Sequence, residues 1–510
     1  MYDLVIKNGK IIDGTGKMAY FSDVAISNGK IVEIGENITG GHKIIDAKGL
    51  VVTPGFIDSH SHSDMNMLSY PGQIEKVEPG ITTSIAGQCG LSPYPKAKEA
   101  GLKGENLADK YDTMGAFLDD VKDFAQGSNI ALFVGHNQLR MSVMGMEKRE
   151  PDKKELDDMN ALLKDGLDHG AIGVSFGLIY TPSCYAKTEE IIALAKVAAE
   201  NNALVVAHIR DEGDFLEEAV DEFISVIKAS GARGVISHHK AMYKQNHGKV
   251  NKTLDMIKKA NAEGADIFCD VYPYIASSTT LEARVIPKEY RKGSNKVVEI
   301  LSDEKMRKEL KELNIKRWGN CLDWVMINSC TGYSEYEGMT VDKIAKIHGK
   351  DDLDTVFDIL KNSGGTASAS FFSMSEEDVE TVISYPRAMI GTDSRAAAGK
   401  EVYHPRLRGS FPRVLGRYVR ERKVATLEEM IRKMTSLPSE VYSLKNKGFV
   451  RKGYDADICI FDSEKIIDCA DFSDCTKRAK GLNYVIVNGT IAAEDAVYNG
   501  SMTGKVLLKK

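Results

Sequence analysis

No uninterrupted apolar stretch in this 510-residue chain approaches the ~20 residues needed to cross a bilayer, which argues against a spanning helix. The N-terminus, MYDLVIKNGK, carries an acidic residue early and has no basic region ahead of an apolar core, so it does not resemble a signal peptide. Together these two absences predict a cytoplasmic protein. The eight cysteines are scattered, with no C-x-x-C pair and no dense short-range framework. That excludes a disulfide scaffold and predicts reduced thiols, of which at most one or two have a chemical task. The net charge of -6 is spread without long like-sign blocks. It offers no electrostatic footprint for nucleic acid or an anionic membrane, leaves the oligomeric state open and makes a small molecule the default partner. No low-complexity segment and no repeat of 20–50 residues is present.

What is present is an ordinary globular composition, 43% hydrophobic and 27% charged, on a chain long enough for a large barrel with accessories or for two to three domains. The first fifty residues read as short strands punctuated by NG, GTG and KG turns, and the last sixty have the same texture in ADICIFD and LNYVIVNGT. The two ends are therefore expected to share one sheet. Between them, short apolar strands alternate with helix-like stretches: NIALFVG, GAIGVSFG, ALVVAHIRDE, ARGVISHHK, ADIFCDVYPY and RAMIGTDS. Such an order predicts a parallel α/β sheet, and the length suits a closed eight-stranded barrel. The charged, helical stretch 286–344 interrupts the rhythm and is expected to be an inserted subdomain or lid. Thr426, three residues ahead of Glu429, is a candidate helix cap.

In a parallel barrel, chemistry sits at the C-terminal strand ends. Ligand-type residues recur there: His60 and His62 after VVTPGFID, Cys89 after ITTSIAGQ, His208 after ALVVA, His238, His239 and Lys240 after GVIS, and Asp393 after RAMIG. A lone histidine at a strand end is more often structural, but His-x-His after an apolar strand points two imidazoles the same way. A lone buried cysteine usually acts as a small hydrophobe, although the glycines of GQCG allow a close backbone approach. A thiolate with several imidazoles and a carboxylate suits Zn²⁺, and so predicts a hydrolytic metal centre in which Asp393 carries the water proton. His136 is as readily structural as substrate-facing; His169, His247 and His348 read as surface residues.

In chain order, VIKNGKIIDGTG, VTPGFIDSHSHSD, GQCGLSP, GAIGVSFGLIYTPSCYA, AHIRDEGD, ISHHK, DVYPY and GTDS resemble the amidohydrolase superfamily and, within it, the D-aminoacylases (N-acyl-D-amino-acid deacylases), over essentially the whole chain. The resemblance implies a (β/α)8 TIM-type barrel at residues 53–445, a β-sandwich built from residues 1–52 plus 446–510, and an insertion at 286–344. It implies that Cys89, His208 and His238 hold one tightly bound zinc, and that His60 and His62 help form a weaker second position sharing Cys89. Asp393 would be the acid/base. Lys240, Tyr180, Tyr272 and Ser278 match positions that meet the substrate, with Arg284 and Arg210 as further cations. Strand GAIGVSFG has no lysine of the kind that bridges two metals in many amidohydrolases. Gln88 and Phe176 depart from the pattern near the expected pocket and bear on substrate preference.

The activity expected is zinc-dependent hydrolysis of N-acyl-D-amino acids by metal-activated water. The alternatives are another amidohydrolase reaction, either cyclic-amide or hydantoin-type ring opening, which the missing lysine disfavours, or D-dipeptide cleavage, and an inactive scaffold, which the intact ligand set disfavours.

Overall fold

The computed structural model describes residues 1–96, 111–291, 294–397 and 403–509, with residues 294–296 described by their backbone alone. Eight strands alternate with helices: β1 (Phe56–Asp58), β2 (Ile81–Ala86), β3 (Asn129–Leu132, resumed at Val134–Gly135), β4 (Gly173–Gly177), β5 (Leu204–His208), β6 (Arg233–Ile236), β7 (Asp266–Val271) and β8 (Ala388–Ile390). β1 to β3 pair in parallel, and so do β3 to β8. β3 belongs to both runs because it is interrupted only at Phe133, whose N–H still donates to Ala86 O at 2.9 Å. The ring closes where Ser59 N donates to Ile390 O at 3.2 Å and Asp393 N to His60 O at 2.8 Å. The barrel seam therefore carries the residues that follow β1 and β8.

Alternation along the strands sorts two cores. Ile57, Ile85, Phe133, Val206, Val235, Phe268 and Met389 share one buried cluster inside the ring. Their strand neighbours, such as Phe56, Ala86, Val134, Val205, Ile236 and Ile390, face out into the cluster formed with the helices. Leu437, Val441 and Tyr442 join the inner cluster. The helix Ser436–Val441 sits at the N-terminal end of the ring, where Arg233 at the start of β6 bonds the carbonyls of Glu440 and Val441. The opposite end is left for polar side chains. The helix before it, Leu427–Met434, starts as expected, with Thr426 accepting from Glu429 N at 3.2 Å.

Both chain ends lie in one nine-stranded sheet, in which Val51–Pro54 pairs antiparallel with Ile458–Phe461. The sheet curls over itself, so that Leu4, Ile31, Val52, Ile458 and Ile486, from strands far apart in its order, share one core. Val51–Pro54 delivers the chain through Gly55 into β1; a Cβ at Gly55 would lie 2.3 Å from the Thr82 side chain, so only glycine fits.

Between β7 and β8, strands Ser277–Thr280, Val325–Ser329 and Ser368–Phe371 form a small antiparallel sheet. Leu281, Val285, Leu310, Ile344, Phe357 and Phe371 make its own core, joined by Met242 and Tyr243 from the loop after β6. These elements extend on both sides of 286–344. The strand SSTT has no apolar alternation by which it could be read, and the amphipathic helix Asp352–Asn362 reads like any barrel helix. Among the described residues no helix is long and apolar enough to cross a membrane.

Replacing the inner-core ring of Phe133, which is fully buried, by Ala should cost ~3–5 kcal/mol. Phe21→Ala, at a side chain 73% exposed, should stay within about 0.5 kcal/mol. Thermal denaturation of the two variants checks the assignment, and equal shifts would contradict it.

Candidate metal centre and active site

The turn after β2 presents Cys89. Gly87 and Gly90 have φ of +78° and +77°, and Cys89 itself takes 55°, in the left-handed region that a residue with a Cβ seldom adopts. Ser175 on β4 braces this turn by donating to Gly87 O at 2.5 Å and accepting from Gly90 N at 3.1 Å. Gly177 lets the Cys89 turn approach the end of β4, since a Cβ there would lie 2.0 Å from Cys89 O. His238 (φ 37°) and Asp393 (φ 50°) are bent in the same way. Such conformations cost ~1–3 kcal/mol each and persist only where the surroundings over-determine them.

Three imidazoles surround the thiol. Cys89 Sγ lies 3.4 Å from His60 Nε2, 3.5 Å from His238 Nε2 and 3.8 Å from His208 Nδ1. With Zn–S ~2.3 Å and Zn–N ~2.0–2.1 Å, tetrahedral geometry puts sulfur and nitrogen ligands ~3.5 Å apart, so the donor set fits a zinc ion. His60, Cys89, His238 and Asp393 bring their ligand atoms within 4.8 Å of one another, and all four are buried. His62 lies at the edge of the group, its Nε2 3.2 Å from Asp393 Oδ1.

Carboxylates stand behind the imidazoles. Glu212 Oε1 is 2.9 Å from His238 Nδ1, and its Oε2 is 3.4 Å from His208 Nε2. Asp270 accepts from His238 N at 2.7 Å and lies 3.4 Å from His60 Nδ1. Partners of this kind orient a ligand ring and raise its basicity. His208, Glu212 and His238 also form a cluster of metal-ligand type. The ammonium of Lys240 already occupies it, bonded to Glu212 and 2.7 Å from His238 Nδ1.

The charges follow from this geometry. Burial opposes ionisation of the Cys89 thiol, but the positive charge at His60 and hydrogen bonds from the three imidazoles outweigh it and hold the thiol well below its ordinary range. Burial also opposes charge on His62, yet the Asp393 and Cys89 contacts raise it to about 9. Asp393 is held well below the usual carboxylate range despite its burial, chiefly by Arg406, whose Nη1 donates to Oδ2 at 2.7 Å.

The amidohydrolase family pattern matches residues 43–493. The chain belongs to the amidohydrolase family. It is 35% identical over 492 residues to N-acyl-D-glutamate deacylase of Alcaligenes xylosoxydans xylosoxydans, covering 96% of this chain and 93% of that one. The crystal structure of N-acyl-D-glutamate deacylase from Bordetella bronchiseptica, complexed with zinc and a phosphonate inhibitor that mimics the tetrahedral intermediate, is 32% identical and superposes with a TM-score of 0.84 over 99% of both chains. A D-aminoacylase crystal structure is 33% identical, with a TM-score of 0.85 over 100% of both chains.

In this amidohydrolase the six metal and acid/base candidates, His60, His62, Cys89, His208, His238 and Asp393, converge on one end of the barrel. The expected substrate residues divide. Tyr180 and Ser278 are half-buried beside the centre, with the Tyr180 hydroxyl 3.0 Å from Thr279 Oγ1 and Ser278 Oγ accepting from Asn328 Nδ2 at 2.9 Å. Tyr272 is buried, with Lys240 and Arg406 over its ring at 5.4 and 5.0 Å. Lys240 and Arg284, expected as cations for a substrate carboxylate, are already bonded to Glu212, Arg284 at 2.7 Å, because a buried cation needs a counter-charge. Arg210 grips Glu222 with two bonds of 2.8 Å, a structural ion pair.

His136 is also structural: it is held between Ser183 at 2.7 Å and Glu190 at 2.8 Å. His239 bonds Thr253 at 2.9 Å, and burial lowers it to about 4. His247 and His348 are exposed, and His169 is half-buried. Neither departure from the family pattern lines the pocket. Phe176 follows the inward-facing Ser175, so its ring faces outward and packs 4.8 Å from His136. Gln88 donates to Ser59 O at 3.2 Å inside the ring.

Sequence reasoning missed Glu212, Asp270 and Arg406. Glu212 stands four residues after His208 in HIRDE, and Asp270 lies two after the inner-core Phe268; either spacing was a usable signal. Nothing local marked Arg406. Glu212→Gln keeps the shape but removes the charge behind both imidazoles, and should weaken zinc binding ~10–100-fold. Zinc titration against a chelator measures this, and an unchanged affinity would contradict the orienting role.

Proposed function

We propose that this amidohydrolase removes the acyl group from N-acyl-D-amino acids by zinc-dependent hydrolysis, giving a carboxylate and a free D-amino acid. The observation that carries the reading is the buried Cys89 thiol at zinc-ligand spacing from three imidazoles, with the Asp393 carboxylate beside them. Near full-length likeness to N-acyl-D-glutamate deacylase and D-aminoacylase supports the substrate class. In our assignment Cys89, His208 and His238 hold the tighter zinc, and His60 and His62, sharing Cys89, contribute to a weaker second position. A zinc ion held there supplies Lewis acidity at neutral pH, polarising an acyl carbonyl and making water nucleophilic.

The protein's own groups do the rest. Asp393 Oδ2 is anchored by Arg406, and Oδ1 faces the imidazoles at 3.2 Å from His62 and 3.6 Å from His60. Held ionised, Asp393 accepts a proton from the attacking water and delivers it to the nitrogen of the leaving amine. In the same reading, half-buried Tyr180 and Ser278 and buried Tyr272 offer hydroxyls that can bond a substrate carboxylate. Lys240 and Arg284 lie behind them with Glu212, so that the trio carries one net positive charge toward that carboxylate. The segment between β7 and β8 contributes Ser278 and Arg284, which fits a covering role for the inserted subdomain. None of the eight cysteines is in a disulfide, which fits residence in the reducing cytoplasm.

Release of free amine from matched N-acetyl D- and L-amino acids tests the reading. Turnover of the D series alone is expected; equal rates on both enantiomers, or none on either, would contradict it. Asp393→Asn should retain zinc while kcat falls by ~100-fold or more. Turnover within a few-fold of the unsubstituted enzyme would remove Asp393 from the proton path.

A further inference from the structure

Lys76 is completely buried, which a lysine almost never is without partners, and it touches none of the groups that line the metal centre. It comes from the short helix Ile74–Val77 and reaches the seam where β8 meets β1. All three of its donors are used: Asp58 Oδ2 at 2.7 Å, Thr392 Oγ1 at 2.6 Å and Ser394 O at 2.8 Å. Asp58, the last residue of β1, also accepts from Thr392 N at 2.8 Å, Thr392 Oγ1 at 2.7 Å and His60 N at 3.2 Å. Thr392 and Ser394 are the two neighbours of Asp393 in the chain. The ammonium therefore holds the Thr392 hydroxyl on one side and the Ser394 carbonyl on the other, while Asp58 holds the Thr392 N–H, around the one residue of this segment whose φ lies at 50°. Arg406 fixes the carboxylate of Asp393; the Lys76–Asp58 pair fixes the peptide that presents it.

We propose that Lys76 is a positioning residue for Asp393. Its buried ammonium, clamped by Asp58, holds the Thr392–Ser394 peptide in the left-handed bend that turns the Asp393 carboxylate toward the metal-binding imidazoles. The inference rests on Asp393 being the proton carrier. A plain barrel-seam tie would affect stability and substrate binding alike, whereas a positioning role acts on the chemical step.

The test uses the zinc-loaded enzyme and N-acyl-D-amino acid substrate. Removing Lys76 alone would strand a buried carboxylate, so both charges are removed together in Asp58→Asn/Lys76→Met. Expected is a fall in kcat of about 100-fold with KM within about threefold, and zinc content unchanged. A kcat within about threefold of the unsubstituted enzyme would overturn the proposal, as would loss of zinc or a KM that rises in step with the loss of kcat. If the double variant does not fold, Thr392→Val decides: it removes one hydroxyl from the clamp and should lower kcat alone by roughly tenfold, and an unchanged kcat overturns the proposal. Asp393→Asn, run in parallel, separates the two ideas. If it retains turnover, the proton-carrier reading fails; if it is inactive while the clamp variants are normal, only the role of Lys76 fails.

Discussion

A thiol and three imidazoles that face one another out of contact with water set the terms for this molecule. His60, Cys89, His208 and His238 are each at most 4% exposed, and their nearest polar neighbours across the centre are each other. Buried polar groups normally pair with donors and acceptors of opposite kind, and a thiolate facing inward-turned imidazole nitrogens is a donor set that also suits a cation held among them. The surrounding structure can be read as what that ring requires. Cys89, His238 and Asp393 are forced into left-handed backbone, and the glycines beside Cys89 make room for the bend. Ser175 braces the turn from the strand where related enzymes can carry a bridging lysine.

Around that ring, charge is balanced in pairs. Asp393 meets Arg406, Glu212 meets Lys240 and Arg284, and Asp58 meets Lys76, all of them buried. Buried pairs contribute little net stability, but breaking one leaves an uncompensated charge at a cost of ~3–5 kcal/mol. Their value here is geometric. Glu212 and Asp270 fix which nitrogen each histidine turns inward, and Lys240 and Arg284 hold the Glu212 carboxylate back from the centre.

Much of this arrangement was legible in the chain, and the reason is periodicity. All eight barrel strands stand out as short apolar runs, and because side chains alternate, a ligand-type residue two places beyond an inner-core residue must point to the mouth, as His208 does after Val206. The shared terminal sheet was visible in the matching turn-rich texture of both ends. What escaped was whatever depends on partners distant in sequence. Lys240 and Arg284 looked like free cations because their counter-charge, Glu212, is 28 and 72 residues away from them. Phe176 looked like a pocket residue because the run VSFG does not say which of Ser175 and Phe176 faces in. The small antiparallel sheet that flanks 286–344 escaped because Ser277–Thr280 is a strand only by virtue of pairing with Ser368–Phe371.

The central claim is that a thiolate is a ligand to the zinc of this enzyme. X-ray absorption at the zinc edge of the zinc-loaded protein addresses it directly. The account predicts one sulfur scatterer at about 2.3 Å together with imidazole nitrogens at about 2.0–2.1 Å. A shell made of nitrogen and oxygen alone, with no sulfur, would contradict it.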